Sequence, residues 1–205
     1  FITTYLPRKI EKELQFRLNQ EPKLWQTMTV PEVEVDMKMR QWEMQDFFPF
    51  DEFSAIAISM IPEHIPIAYL EGYKSLVDCP RSLFWPKNPK CIFTSNSHFF
   101  DDVFKAWAAQ KVEAGSKLVI GQHGGHHWIG KWFYQEEHEI SIADKYFSWG
   151  WSDPTQPKVV PVGQLKSKEP LKVNHFEKNG LLMVCLTMPR YSYHMYSSIM
   201  SSQYL

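Results

Sequence analysis

The sequence predicts an α/β protein built on a Rossmann-like parallel sheet with flanking helices. From Ala55 onward, short apolar runs alternate with stretches of helical spacing, as they do in parallel sheets. One of these runs ends in the polar loop Gln122–Gly125, and strands of such sheets present ligand-binding groups at that end. With 205 residues, 44% of them hydrophobic, the chain has enough apolar surface for a buried core.

Residues 1–54 are predicted to form a helical lead-in and connector, because residues 5–40 are rich in helix formers and are punctuated by Pro22 and Pro31. Residues 55–163 are predicted to form the Rossmann-like domain. Its apolar runs predict strands at 55–60, 91–94, 117–120, 145–149 and 158–162, with helices at about 65–77 and 99–113.

The last part of the chain is predicted to begin a second α/β domain. Residues 164–179 are polar and lysine-rich, which is typical of an interdomain connector, and 180–205 contain one buried strand and the loop after it. Because the chain starts at Phe1 rather than Met and stops without a tail-like composition, we interpret it as a piece of a longer protein and expect the piece alone to be inactive.

Charge and composition exclude several classes of function. The formal net charge is −1 and no block of like charges occurs, so we expect no nucleic-acid binding and at most peripheral membrane association. No apolar stretch is long enough to span a bilayer. Cys79, Cys91 and Cys185 lack metal-ligand or redox spacing, which favours buried, reduced thiols in a cytoplasmic protein.

The loop Gln122–Gly125 is the strongest candidate for a functional site. Gly124 and Gly125 permit a tight turn and close approach to a ligand, which would leave Gln122 and His123 at the rim of a cleft. An imidazole at a strand end suits acid–base chemistry or hydrogen bonding. The sequence therefore predicts that His123 is catalytic and that Gln122, Gly124 and Gly125 bind substrate.

A second candidate lies where the predicted strand 91–94 gives way to a helix. Asn96 can cap that helix, and Asp101 and Asp102 fall in its first turns, flanking its apolar face. One interpretation is a well-capped helix with solvated acids. The other places a carboxylate at the cleft, where it would act as nucleophile or general base.

Four histidines, His123, His126, His127 and His138, invite comparison with a zinc site. Acidic or cysteine partners are missing at familiar spacings, so the sequence predicts no metal site. His126 and His127 are expected in a surface loop. His138 faces either the cleft or the next strand and is predicted, together with Asn96, to bind substrate. In the segment 187–194, Arg190 and Ser192 are candidates for phosphate or carboxylate contacts, with an ordinary strand-to-helix loop as the alternative.

Several motifs together resemble a transferase family that was first named from a Leptospira protein and belongs to surface carbohydrate biosynthesis. The matching segments are Thr3–Arg8, Thr94–Ser97 with Asp101 and Asp102, Gly121–Gly125, His138–Asp144 with Phe147–Trp151, and Pro189–Ser192. This family is similar to the retaining β-Kdo glycosyltransferases, which have a GT-B-like fold.

The resemblance implies transfer of a sugar from a nucleotide-sugar donor, one candidate being a CMP-linked ulosonic acid such as Kdo, to a glycan or lipid-linked glycan of the bacterial surface. No cofactor is implied beyond the donor itself. In a GT-B-like enzyme, residues 55–163 would lie on the acceptor side and 180–205 would open the nucleotide-donor domain, with the enzyme working at the inner face of the cytoplasmic membrane.

For a glycosyltransferase, the polar groups at three predicted strand ends suggest roles. Asp101 or Asp102 would be the nucleophile if configuration is retained, or the base if it is inverted; His123 and Gln122 would bind or protonate near the reacting oxygens, and Arg190 would meet the donor. Two alternatives remain: a CDP-polyol phosphotransferase with the same two-domain plan, and a non-catalytic module that binds a glycan or a protein partner.

Overall fold

The computed structural model describes residues 1–20, 29–30, 32–44, 48–130 and 133–166, all within one compact unit that spans Phe1–Lys168. Six α-helices and four strands are found there. The helices are α1 Arg8–Arg17, α2 Glu52–His64, α3 Tyr73–Asp78, α4 Ser97–Phe100, α5 Asp102–Glu113 and α6 Tyr134–Ile142, and the strands are β1 Cys91–Thr94, β2 Lys117–Gly121, β3 Lys145–Ser148 and β4 Val159–Pro161.

The four strands form an all-parallel sheet in the order β1-β2-β3-β4, which confirms the predicted α/β class. Helices α4 and α5 connect β1 to β2, and α6 connects β2 to β3. Parallel neighbours need such crossover connections, so all four carboxyl ends lie on one edge of the sheet. Ile2 forms a parallel bridge with Thr94 on the side of β1 that faces away from β2. The first residues of the lead-in therefore extend the sheet at this edge.

Four of the five predicted strands are present, but the predicted strand 55–60 is wrong. This segment lies inside α2, whose start is fixed by the Asp51 side chain accepting from the backbone N–H of Ser54 at 2.7 Å. A short apolar run does not distinguish a strand from a helix by periodicity alone. In α2 only Pro62 is buried, whereas Phe53 is 78% exposed.

Two of the predicted helices are each divided into two shorter elements. The helix predicted at about 65–77 is a 3₁₀ turn at Ile67–Tyr69 followed by α3. The helix predicted at 99–113 divides at Asp101, which has extended backbone angles and caps α5 through its side chain. A residue that accepts from the N–H three positions ahead starts a helix, so α4 and α5 are separate elements.

The core lies between the sheet and α5. Helix α5 buries Val103, Phe104, Trp107 and Ala108 on one face. Trp107 meets Trp85 edge to face, with 5.4 Å between ring centroids, as the quadrupoles of aromatic rings favour. From the sheet, the buried members of the core are Ile92, Leu118, Ile120, Tyr146 and Val159.

A buried ion pair attaches the lead-in to α2 and α3. The Arg40 guanidinium binds both carboxylate oxygens of Glu71, with Nε–Oε1 2.7 Å and Nη2–Oε2 2.8 Å. Its Nη1 also donates to the carbonyls of Pro62, Glu63 and Ile65 at the end of α2. These carbonyls lack partners within the helix, so Arg40 acts as a C-terminal cap.

No helix in the described ranges is both long and apolar enough to cross a lipid bilayer. Of the cysteines, Cys79 is buried as predicted, Cys91 is exposed, which corrects the prediction, and Cys185 lies outside the described residues.

Candidate functional site at the carboxyl edge of the sheet

Polar residues follow three neighbouring strands at the carboxyl edge. Ser95 and Asn96 follow β1, Gln122 and His123 follow β2, and Trp149 follows β3. Ligands of open α/β sheets bind outside this edge, so these loops form the candidate site.

Gln122 joins the loop after β2 to the loop after β3. Its Oε1 accepts from the backbone N–H of Trp149 at 2.8 Å and from Trp151 Nε1 at 2.9 Å, and its Nε2 donates to the carbonyl of Gly124 at 2.7 Å. Gln122 is only 3% exposed, so the expected place at the rim is wrong. Its amide holds the Gln-His-Gly-Gly and Ser-Trp-Gly-Trp motifs together.

Trp151 also stacks on Trp128, with 5.0 Å between ring centroids and 13° between ring planes. Trp128 has a left-handed backbone (φ 71°), and its N–H donates to the Glu136 carboxylate, which holds this conformation. Trp128 is 53% exposed, so an aromatic surface borders the site.

Beneath the loop, Glu139 of α6 is the centre of a buried polar cluster. Its Oε1 lies 3.0 Å from His98 Nε2 and 3.5 Å from His123 Nδ1, and its Oε2 lies 3.0 Å from His127 Nε2. Gln135 Nε2, one turn earlier on α6, donates to Oε1 at 3.2 Å. The Glu139 side chain has no exposed surface, so protein groups supply its entire solvation.

Glu139 is ionised in this setting. Burial raises the pKa of a carboxyl, but hydrogen bonds from His127 and His98 outweigh burial here and hold the pKa of Glu139 at about 2. Burial, followed by the charge of Glu139, raises the pKa of Tyr146, whose buried ring stacks on His127. The site is therefore built over one buried negative charge and a neutral tyrosine.

His127 lies between two acceptors. Its Nδ1 faces the carbonyl of Gly124 at 3.2 Å, and its Nε2 faces Glu139 Oε2 at 3.0 Å. These two contacts fix the orientation of the ring.

His123 lies above His127 and Glu139 and is 18% exposed. Gln135 Nε2 lies 3.1 Å from Nε2 of His123 and also donates to Glu139. Because an amide nitrogen donates and does not accept, His123 Nε2 is the acceptor and the ring proton is on Nδ1. Burial lowers the pKa of His123, although the charge of Glu139 acts in the opposite direction. His123 is therefore a neutral imidazole near neutral pH.

The N-terminal segment covers His123 from the side of β1. Thr3 and Tyr5 have left-handed backbone angles (φ 46° and 56°), which are strained for side chains with a Cβ. The Tyr5 ring is thereby stacked on His123, with 6.5 Å between centroids. Lys166, after β4, places its Nζ 4.4 Å from the Tyr5 centroid and 5.8 Å from the Trp149 centroid.

Comparison with protein families assigns the chain to a family. A family model described as LIC12162 family transferase matches residues 1–205, the whole chain. The chain belongs to the LIC12162 transferase family. No curated protein and no solved structure matches it. The resemblance seen in the motifs is thus confirmed at the level of a transferase family.

In this LIC12162 family chain, the two candidate acids lie at the start of α5. Asp101 Oδ1 accepts from the N–H of Phe104 at 2.9 Å, and Asp102 Oδ1 accepts from Tyr69 at 2.6 Å and Lys105 at 2.8 Å. Hydrogen bonds from Lys105 and Tyr69 lower the pKa of Asp102, even though burial, the largest single influence, raises it. Among the described residues, neither acid contacts the Glu139 cluster.

The other predicted binding residues of this transferase have different surroundings. Asn96 Oδ1 is buried without a hydrogen-bond partner, and its Nδ2 donates to the Tyr5 hydroxyl at 3.4 Å. Gly124 and Gly125 have no positive φ, and a Cβ added to either would meet only open space, so the loop conformation does not itself require glycine there. His138 is exposed on α6. Arg190 and Ser192 lie outside the described residues.

Glu139 and His98 were not predicted from the sequence. His127 was predicted in a surface loop, but the His127 side chain has no exposed surface. His126 is exposed, as expected. The available signal was the spacing of Gln135 and Glu139, four residues apart on one helix face. His123, His127 and Glu139 each offer a ligand atom within 4.8 Å of the others, so a metal ion could be held there.

Proposed function

We propose that this LIC12162 family transferase moves a sugar from a nucleotide-sugar donor to a glycan acceptor, a CMP-linked ulosonic acid being one candidate donor. The observation that carries the proposal is the meeting of Asn96, His123 and Trp149 at the carboxyl edge of the sheet, above a buried ionised carboxylate.

Stacked aromatic groups support a sugar or nucleobase as the ligand. Trp128 and Trp151 offer a flat apolar surface, and Tyr5 stacks on His123. Rings of this kind contact the apolar faces of sugars while nearby polar groups bind their hydroxyls.

The reaction needs one group that accepts a proton and one anion near the anomeric carbon. In a retaining reaction, the carboxylate of Asp101 or Asp102 attacks the anomeric carbon while the bond to the nucleotide phosphate breaks with its electron pair. The acceptor hydroxyl then displaces the carboxylate and gives its proton to a base. In an inverting reaction, the carboxylate takes that proton directly.

His123 is the proposed proton carrier, since it is neutral and lies at the exposed side of the cluster. Using Nε2 as a base requires the hydrogen bond from Gln135 to give way to the acceptor hydroxyl. We propose that Gln122 acts indirectly by fixing the loop, and that Arg190 and Ser192 contact the donor.

Incubating the complete parent protein with a panel of nucleotide sugars and acceptor glycans, and measuring nucleotide release and product mass, tests the proposal. We expect D101N or D102N, and H123Q, to reduce transfer by at least about 100-fold. The matched controls D78N and H126Q should retain it.

Unchanged turnover in D101N, D102N and H123Q would remove the proposed site. A product heavier by a polyol phosphate would assign the CDP-polyol phosphotransferase alternative instead. Glycan binding with no nucleotide release from any donor would identify a binding module.

A further inference from the structure

We propose that His123, His127 and Glu139 form a binding site for a divalent transition-metal ion of the zinc type. This inference goes beyond sugar transfer, because metal binding is measurable without any substrate.

Two of the donor-atom distances are close to those of a zinc site. Zinc bonds to imidazole nitrogen and carboxylate oxygen are about 2.0–2.2 Å, which places tetrahedral ligand atoms about 3.3–3.5 Å apart. Glu139 Oε2 lies 3.0 Å from His127 Nε2, and Oε1 lies 3.5 Å from His123 Nδ1. The three side chains each offer a ligand atom within 4.8 Å of the others, so side-chain shifts of about 1 Å would form the coordination shell.

The groups behind these three side chains are those that orient metal ligands. A ligating histidine usually donates its other ring N–H to a carbonyl or carboxylate, and His127 Nδ1 donates to the carbonyl of Gly124. A ligating carboxylate is usually hydrogen-bonded in turn, and His98 Nε2 donates to Glu139 at 3.0 Å.

Charge also favours a metal ion at this position. With Nδ1 of His127 directed at the carbonyl of Gly124, its Nε2 faces Glu139 Oε2 at 3.0 Å. A divalent ion between these two atoms brings two positive charges to a carboxylate that has no exposed surface.

His123 completes the set with one rearrangement. Coordination through Nδ1 moves its proton to Nε2, where the Gln135 amide must turn to accept it, so Nε2 is available as the proposed base only while the metal ion is absent. The hydrogen bond that Gln135 loses at Glu139 is replaced by the metal–oxygen bond. The exposed side of His123 provides the route for entry.

The donor set selects among ions. Two imidazoles and one carboxylate suit zinc and its first-row neighbours, leaving further coordination positions open, whereas magnesium prefers a shell of oxygen atoms. The site should bind Zn²⁺ and Co²⁺ and reject Mg²⁺.

Isothermal titration of chelator-treated protein with Zn²⁺, Co²⁺ and Mg²⁺ tests this proposal. We expect one Zn²⁺ per chain, a tetrahedral Co²⁺ absorption spectrum and no Mg²⁺ heat. H123Q should weaken Zn²⁺ binding by at least about tenfold, because loss of a group that only orients a ligand already costs about 10–100-fold. The exposed controls H126Q and H138Q should bind as the wild type does.

Absence of stoichiometric Zn²⁺ binding, or equal weakening in H126Q and H123Q, would overturn the proposal. Circular dichroism establishes that each variant is folded. Should H123Q not fold, X-ray absorption of the Zn²⁺-loaded wild type decides: two imidazoles with a carboxylate support the site, and thiolate ligands refute it. Neither result depends on sugar transfer.

Discussion

At the scale of single residues, Glu139 has the largest effect on the site. It is fully buried, ionised, and contacted by three histidines and an amide from the same helix. A buried charge is stable only when its hydrogen-bond capacity is filled, and each histidine therefore takes the orientation that this carboxylate requires. The chemistry available to His123 depends on a residue that no substrate needs to touch.

We expect E139Q to destabilise the metal-free protein by about 3 kcal/mol, because the amide that replaces the carboxylate cannot accept hydrogen bonds from both His98 and His127 inside the protein. Urea denaturation measures the effect, and E137Q, at an exposed position on α6, is the control. Equal stability of E139Q and wild type would contradict the central place of this carboxylate in the cluster.

A second residue-scale prediction concerns Gln122. Q122L keeps the volume but leaves the N–H groups of Trp149 and Trp151 without their acceptor. Unsatisfied buried donors cost about 1–3 kcal/mol each, so for two donors we expect a loss of about 2–6 kcal/mol in the free energy of unfolding. The exposed Q41L should change it by less than about 0.5 kcal/mol. A loss no larger than that of the control would show that Gln122 does not join the two loops.

At the scale of elements, the Arg40–Glu71 pair connects the lead-in to the carbonyl end of α2. Hydrogen bonds from Arg40, opposed by burial, lower the pKa of Glu71 from 4.5 to about 2. Because the folded pKa lies below the ordinary value, the stabilisation is complete above about pH 4.5 and is lost as the pH falls toward 2.

Measuring the free energy of unfolding from pH 7 to pH 2 in wild type and E71Q tests this prediction. The difference between them should be largest at neutral pH and should shrink through pH 4.5 to 2. E63Q, at an exposed position on the same helix end, should follow the wild type. A difference that is independent of pH would contradict the assigned ionisation.

At the scale of the whole molecule, one parallel sheet orders the site, since the loops that follow β1, β2 and β3 all begin at its carboxyl edge. Cys79 belongs to the core beneath this sheet, whereas Cys91 is exposed at the opposite, amino edge of β1. In a C185S background, we expect maleimide to modify Cys91 alone in the folded protein, more slowly than a free thiol because burial of the sulfur raises its pKa.

Mass spectrometry should find one adduct on the folded chain and two after denaturation. Fast modification of Cys79 under native conditions would contradict the core described above.

The sequence predicted the four described strands of the sheet because each is a short apolar run beside a helical stretch. The sequence did not distinguish α2 from a strand, because the periodicity of a short apolar run does not show which of its side chains will be buried against a core. His98, His127 and Glu139 are separated by 12 to 41 positions, and only the fold brings them together. Polar residues on loops were predictable, whereas Glu139, an acid facing inward from a helix, was not.

The paired indoles of Trp128 and Trp151 also make this protein a convenient optical sensor. We expect two nearly parallel indoles 5.0 Å apart to couple electronically and to give a paired far-ultraviolet dichroic band. One ring belongs to the loop that contains His123 and the other to the segment fastened by Gln122. A substrate or metal ion that moves either loop changes this band, so occupancy can be followed without attaching a label.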